Sequence, residues 1–395
     1  MFRRQGARGL VQKVVLRAFP FILDRPTLVH REDVLAADWR APHPWRARPR
    51  ALPAGSLTIA WVMSPPGANS GGHQNIFRFL RFLEEAGHAV RIYIYSAIDP
   101  TTAAESRRLL AGSSSFARVG ATIEPYPERG VPSDVDVLIA TGWETAYRSY
   151  RDPSDAKRLY FVQDFEPLFY PMSSEAVLAE NTYRFGFIGI TAGAWLAAKL
   201  RDSYGMATTA ISFGADPTHY RITNSSRRAG VLFYARPETP RRGFELGSMA
   251  LELFARERPS SPILLAGQHL RSLRLPFAFT GLGNVQVAEL NAVYNQCAAG
   301  LVLSLTNMSL LPLELLAAGV IPVLNDGPNN RLVSSNPYLE YADPSPQALA
   351  ERLIAVIDRH DQQEHAQRAA ASVEGIDWNV AGKQFVAAVE RAARG

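Results

Sequence analysis

Apolar runs of strand length alternate along the chain with stretches whose apolar residues recur at helical spacing. Residues 57–63 form the first run, and a Pro/Gly/Ser loop follows over 64–72. In 74–85, Ile76, Phe77, Leu80 and Leu83 fall on one helix face. Further strand-like runs occupy 89–95, 135–140, 159–162, 185–191 and 208–213, and a helix over 195–204 stops at Gly205. After a polar stretch at 223–228 the pattern restarts. Strands are predicted at 230–234, 263–266, 300–305 and 321–324. Helices are predicted at 244–256, 289–296, 310–318 (ended by Gly319) and 347–359. Strands alternating with helices imply parallel sheets with crossover helices. Two such series read as an α/β chain of two Rossmann-like domains facing across a cleft, where ligands bind beyond the carboxyl ends of the strands.

The expected division is an N-terminal extension over 1–55, a first domain over 56–222, a second over 223–378, and a final helix over 379–395 that packs back on the first. The extension is rich in Arg and Pro. Val11, Val14, Val15 and Phe19 can form one helix face with Arg8, Lys13 and Arg17 off it. That face suits either an interfacial membrane anchor or an arm packed on the body. The segment 41–54 reads as a Pro-punctuated tether.

Composition narrows the function classes. With 395 residues, 47% hydrophobic and 20% charged, the chain is globular and long enough for two cores. A net charge of +5 suits a phosphate-bearing ligand or an anionic surface; no nucleic-acid-binding motif accompanies it. The single cysteine, Cys297, rules out an intramolecular disulfide framework and reads as inert core. No apolar run is long enough to cross a membrane, and the N-terminus lacks a clean cleavage site; the expected location is cytoplasmic, with peripheral contact at the inner membrane face as an option.

Four stretches carry candidate chemistry. The first strand–helix loop contains Gly71 and Gly72, whose backbone can approach a phosphate or simply form a tight turn; His73 follows at the helix start. Its spacing is not the dinucleotide fingerprint, which disfavours a hydride-transfer cofactor. Gly281-Leu282-Gly283 reads as a turn. Arg236, Arg241 and Arg242 sit between a strand and a helix, where guanidinium forks match phosphate oxygens. The stretch from Thr306 through Asn307, Met308, Ser309 and Leu310 to Glu314 joins a strand to an apolar helix. It can hold a phosphate on its amides and a ribose diol on Glu314; a buried Glu314 paired to an Arg is the alternative. Gln163, Asp164 and Glu166 follow a strand; the two carboxylates are candidate bases toward an acceptor hydroxyl, or loop and cap residues.

Taken together in this order, these motifs resemble the GT-B glycosyltransferases of family 4, from about residue 57 to the C-terminus. Ser70-Gly71-Gly72 resembles the family's glycine loop, residues 190–196 its Thr-initiated helix, and Phe213-Gly214-Ala215-Asp216 its turn into the linker. Arg236 and Arg242 fall where the family has its Arg and Lys on the donor diphosphate. Thr306 to Glu314 occupies the Glu-x7-Glu motif, and residues 317–323 resemble its continuation. Thr306 replaces the first Glu, and Gln163 stands where many members carry a His. The segment 160–171 resembles bacterial rhamnosyltransferases of polysaccharide and S-layer glycan assembly.

The resemblance implies a metal-independent, cofactor-free retaining transferase. Its donor would be a dTDP- or UDP-sugar, with a dTDP-6-deoxyhexose preferred, and its acceptor a glycan or polyprenyl-linked saccharide. Arg236, Arg242, Asp164 and Glu166 form the implied catalytic set. Gly71, Gly72, Thr306, Asn307, Met308, Ser309, Leu310 and Glu314 form the donor site, with His73 and Gln163 on the acceptor side. The alternatives are a non-catalytic nucleotide-sugar-binding protein, which Thr306 keeps open, and a nucleotide-sugar epimerase.

Overall fold

The structure, a computed structural model, describes residues 27–43, 45, 52, 54–67, 70–216, 218–267, 274–308 and 310–395. The candidate anchor helix of the extension and Ser309 lie outside the described residues. Two all-parallel sheets organise the chain. The first has seven strands: β1 (Thr58–Met63), β2 (Ala89–Ile94), β3 (Thr122–Pro125), β4 (Val137–Ala140), β5 (Lys157–Val162), β6 (Ile188–Ala192) and β7 (Thr208–Ile211). Their order is β3-β2-β1-β4-β5-β6-β7. The second has six: β8 (Gly230–Tyr234), β9 (Ile263–Ala266), β10 (Thr280–Gly283), β11 (Cys297–Val302), β12 (Ile321–Asn325) and β13 (Glu340–Ala342), in the order β10-β9-β8-β11-β12-β13.

The central strands are buried on both faces, so they read as continuous apolar runs rather than alternating ones. β4, for example, is Val-Leu-Ile-Ala with every residue buried. Helices cover both faces of each sheet. Helix Gly71–Glu85 lays Ile76, Phe79, Leu80 and Leu83 on the first sheet, and helix Phe244–Glu257 lays Ala250, Leu251 and Phe254 on the second.

The Gly281-Leu282-Gly283 segment, expected as a turn, is instead the edge strand β10, hydrogen-bonded to β9. Three glycine-rich residues carry too little side chain to show a strand pattern; pairing with a neighbour makes the strand. Helix Trp143–Arg151 and the strands β3 and β13 are also absent from the periodicity reading.

The chain crosses between the two halves twice, and the crossings touch. Ala215 bridges Asp377 in parallel, and a Cβ on Gly214 would stand 2.4 Å from the Asp377 carbonyl carbon, so only glycine fits there. Beyond the second crossing, helix Trp378–Arg394 lies against helix Gly71–Glu85. Gly382 meets the Phe82 ring, and Phe385 stacks on Phe79 with centroids 4.6 Å apart. At the other end, residues 27–43 and 45 pack on the first half. Asp33 is buried and accepts from Tyr95 and from Arg151 (2.9 Å), while Trp45 wedges between Tyr150 and Phe187.

Candidate functional site

A cleft of about 970 Å3 opens where the carboxyl ends of the two sheets face one another. Its floor joins the halves. Asp164, just past β5, accepts from the Asn307 amide (2.8 Å) and from the Thr306 hydroxyl (2.9 Å). The Asn307 side-chain amide donates to the carbonyls of Gln163 (3.1 Å) and Ala192 (2.9 Å). Thr306 is only 1% exposed and does not line the cleft; it serves the floor from behind. Burial raises the Asp164 carboxyl above its ordinary range, with Arg242 and the Asn307 amide opposing.

The C-terminal wall is cationic. Arg236 stacks over Tyr234 at 4.8 Å and donates to its hydroxyl. Arg242 donates to the Ser304 hydroxyl (2.9 Å), which donates in turn to the Asn307 carbonyl (2.5 Å). Arg241 lies over the Phe169 ring at 4.0 Å, and 3.7 Å from Asp164. Burial lowers the Arg241 and Arg242 pKa values, and Asp164 partly compensates. The turn below them is held on several sides: Asn325 pairs with both backbone groups of Ser304 (2.9 and 3.0 Å), and Asn329 donates to its carbonyl (2.9 Å). Such a turn presents Asn307, Met308 and Leu310 to the cleft in a fixed geometry. Arg241 Nε and Asn307 Oδ1 are buried without a hydrogen-bond partner among the described residues.

Glu314 also lines this wall. The Tyr294 hydroxyl donates to it at 2.9 Å, and Tyr220, stacked on Tyr294, donates as well. Burial raises its pKa; the tyrosines and Arg78 hold it back. Arg78 comes from the first half, where it stacks on Trp378 at 4.4 Å.

The N-terminal wall begins at the glycine loop. Ser70 caps helix Gly71–Glu85, and Gly71 and Gly72 line the cleft. His73 uses both ring nitrogens: Nε2 lies 3.2 Å from the Ser64 carbonyl and Nδ1 lies 2.8 Å from Ser70 Oγ. A carbonyl only accepts, so Nε2 carries the proton and Nδ1 accepts from the serine. Burial lowers the His73 pKa, which favours that neutral form. Gln163 donates to the Gly72 carbonyl and accepts from Asn75, both at 3.1 Å. Deeper in, Glu166 accepts from the Trp143 amide (2.6 Å) and the Tyr160 hydroxyl (2.9 Å). Burial, then the neighbouring Glu144 charge, pushes its pKa up to about 8.

The cleft therefore gathers every named site residue except Thr306, which sits behind it, and Ser309. Sequence reasoning missed Glu144, Arg78 and Tyr294. It counted Arg241 among the three loop arginines but left it out of the catalytic set, although this is the arginine nearest Asp164. Glu144 was findable: it follows the predicted strand at 135–140 across a Thr-Gly turn, the same strand-end position that drew attention to Gln163.

Comparison with known proteins agrees with this architecture. The family model "WsaF, N-terminal domain" matches residues 77–191, and "WsaF, C-terminal domain" matches 229–354, together more than half of the chain. The O-antigen biosynthesis protein RfbC of Myxococcus xanthus is 33% identical over 307 residues, covering 75% of this chain. The chain spans 24% of that relative's length. Among solved structures, sucrose-phosphate synthase from Thermosynechococcus elongatus superposes with a TM-score of 0.63 at 13% identity, over 85% of this chain and 98% of the other. Anabaena HepE in complex with UDP and glucose gives 0.62 at 15% identity, over 85% and 100%. The chain belongs to the WsaF family, and its fold is the GT-B fold of these glycosyltransferase structures. For this GT-B chain, the distant structures speak to the fold, with its cleft between two parallel sheets.

Proposed function

We propose that the cleft binds a nucleotide diphosphate sugar on its C-terminal wall and passes the sugar to an acceptor on its N-terminal wall, in the synthesis of a bacterial surface glycan. The observation that carries this reading is the arginine loop. Arg236, Arg241 and Arg242 converge on the cleft above a turn that is already fixed, and the buried Arg241 Nε makes no hydrogen bond among the described residues. A diphosphate fits such a set of forks. Glu314, held by two tyrosines, accepts from the ribose hydroxyls. HepE, of the same fold, was solved with UDP and glucose, and the relative RfbC is an O-antigen biosynthesis protein.

In the proposed reaction the bond between the anomeric carbon and the diphosphate oxygen breaks as the acceptor oxygen bonds to that carbon on the same face, with retention. The acceptor proton passes to the departing phosphate oxygen. Arg236, Arg241 and Arg242 stabilise the charge that grows on the diphosphate, so the reaction as proposed draws on no metal. Asp164 does not abstract a proton: both its oxygens serve the floor, where it fixes Thr306 and Asn307. Glu166 likewise serves the scaffold. Since Thr306 is turned away from the cleft, no carboxylate from this turn meets the sugar. That suits a donor with few hydroxyls, and dTDP-rhamnose is the preferred candidate. Release of sugar from dTDP-rhamnose, UDP-glucose and UDP-galactose with a surface-glycan acceptor tests this. Turnover with the dTDP-6-deoxyhexose and not with UDP-hexoses is expected; the reverse would overturn the donor assignment. EDTA should leave the rate unchanged.

A further inference from the structure

The N-terminal wall carries a carboxylate that the donor chemistry leaves unused. Glu144 sits in the first turn of helix Trp143–Arg151 and lines the cleft. The donor to its carboxylate is its own backbone amide. The neighbouring Glu166 takes both the Trp143 amide and the Tyr160 hydroxyl on Oε2 and is 7% exposed. Gly142 keeps the space open: its φ is +86°, and a Cβ there would stand 3.0 Å from a Glu144 carboxylate oxygen. Around Glu144 the wall is aromatic: Tyr170 is half-buried at the surface of the cleft, and beside it Phe169 carries Arg241 over one face of its ring. Tyr170 is fixed by the Trp143 indole, which donates to its hydroxyl at 2.9 Å.

The two walls thus differ in charge, with arginines on one and, on the other, Glu144 beside a Glu166 whose carboxyl is held protonated. Burial raises the pKa of both Glu144 and Glu166, and the Glu144 charge further opposes the ionisation of Glu166. A phosphate brought to this wall would meet like charge in a water-poor site. A sugar hydroxyl would find an acceptor in the carboxylate and an apolar face in the aromatic rings. The cavity, about 970 Å3, lies at the top of the range for one small-molecule ligand, which leaves room for a second sugar beside the donor.

We infer that Glu144 is the acceptor-binding residue, and that the acceptor presents a neutral saccharide hydroxyl, rather than a phosphate oxygen, to this wall. The inference rests on the cleft being a glycosyltransferase site. Its test has two arms: wild-type turnover on neutral oligosaccharides and on polyprenyl monophosphate, and acceptor kinetics of Glu144→Gln. Donor-induced thermal stabilisation is measured on both proteins. Oligosaccharides should be glycosylated and polyprenyl monophosphate should not. Glu144→Gln, which removes a buried charge without changing shape, should keep the donor-induced shift and raise the acceptor KM about tenfold or more, the loss expected when a charge-assisted hydrogen bond becomes a neutral one. Transfer to polyprenyl monophosphate, or an acceptor KM in Glu144→Gln within about twofold of wild type, would overturn the assignment while leaving the donor site standing. No stabilisation of wild type by any nucleotide sugar would overturn the transferase reading and this inference with it.

Discussion

The C-terminal wall of the cleft takes its charged groups from two short stretches, residues 236–242 and 306–314, whereas the N-terminal wall collects His73, Glu144 and residues 163–166 from behind three different strands. On the C-terminal side, side chains close in sequence share one turn and one task, and their cationic character is visible without a structure. On the N-terminal side each side chain answers first to the scaffold: His73 to Ser64 and Ser70, Gln163 to Gly72 and Asn75, Glu166 to Trp143 and Tyr160. A wall of that kind shows which groups are free for a ligand only after the hydrogen bonds of the others have been assigned.

The largest expected effect is on the C-terminal wall. Arg242→Ala removes a half-buried cation and its bond to Ser304, and kcat/KM should fall by about a hundredfold or more. Steady-state transfer assays check this, with circular dichroism confirming the fold. If the two walls contributed alike to donor binding, Gln163→Ala would cost as much; it should cost far less. Asp164→Ala comes next and strikes the floor that joins the walls. It leaves the Asn307 amide and Thr306 hydroxyl buried without their acceptor, a loss of about 1–3 kcal/mol. Urea unfolding reads that loss, and Asp164→Asn, which keeps one acceptor oxygen, should lose less.

The third prediction is a pH dependence confined to the N-terminal wall. Glu166 titrates near 8 in the folded chain against an ordinary 4.5. Its contribution to stability is therefore full below about 4.5 and is lost as pH rises through about 8. Glu166→Gln should show a flatter fall of melting temperature between pH 5 and 8 than the wild type. An unchanged slope would mean that the carboxylate is not held neutral. The smallest effect is expected at Tyr294→Phe. Removing one of two hydroxyls from Glu314 should weaken nucleotide binding only a few-fold, since a net hydrogen bond is worth about 1 kcal/mol; titration calorimetry would measure it.

The two-sheet architecture was legible because buried parallel strands and crossover helices leave long, distinct periodicities, as in β1 and helix Gly71–Glu85. β10 was not, because Gly281 and Gly283 carry no pattern and the strand exists only through its pairing with β9. The arginine loop could be read for its chemistry, but not for which arginine faces Asp164. The Thr306 substitution was visible as a departure. What it does, donating across the floor to a residue 142 positions earlier, depends on a tertiary contact that no local spacing encodes.

The central claim is that the C-terminal wall holds a nucleotide diphosphate. Its most direct test is thermal unfolding of the wild type and Arg242→Ala with dTDP, UDP and their sugar conjugates, since a ligand that binds only the folded state must raise the melting temperature. The account predicts a concentration-dependent rise with one of these nucleotides in the wild type and its loss in the variant. No rise with any of them, or an equal rise in both proteins, would contradict it.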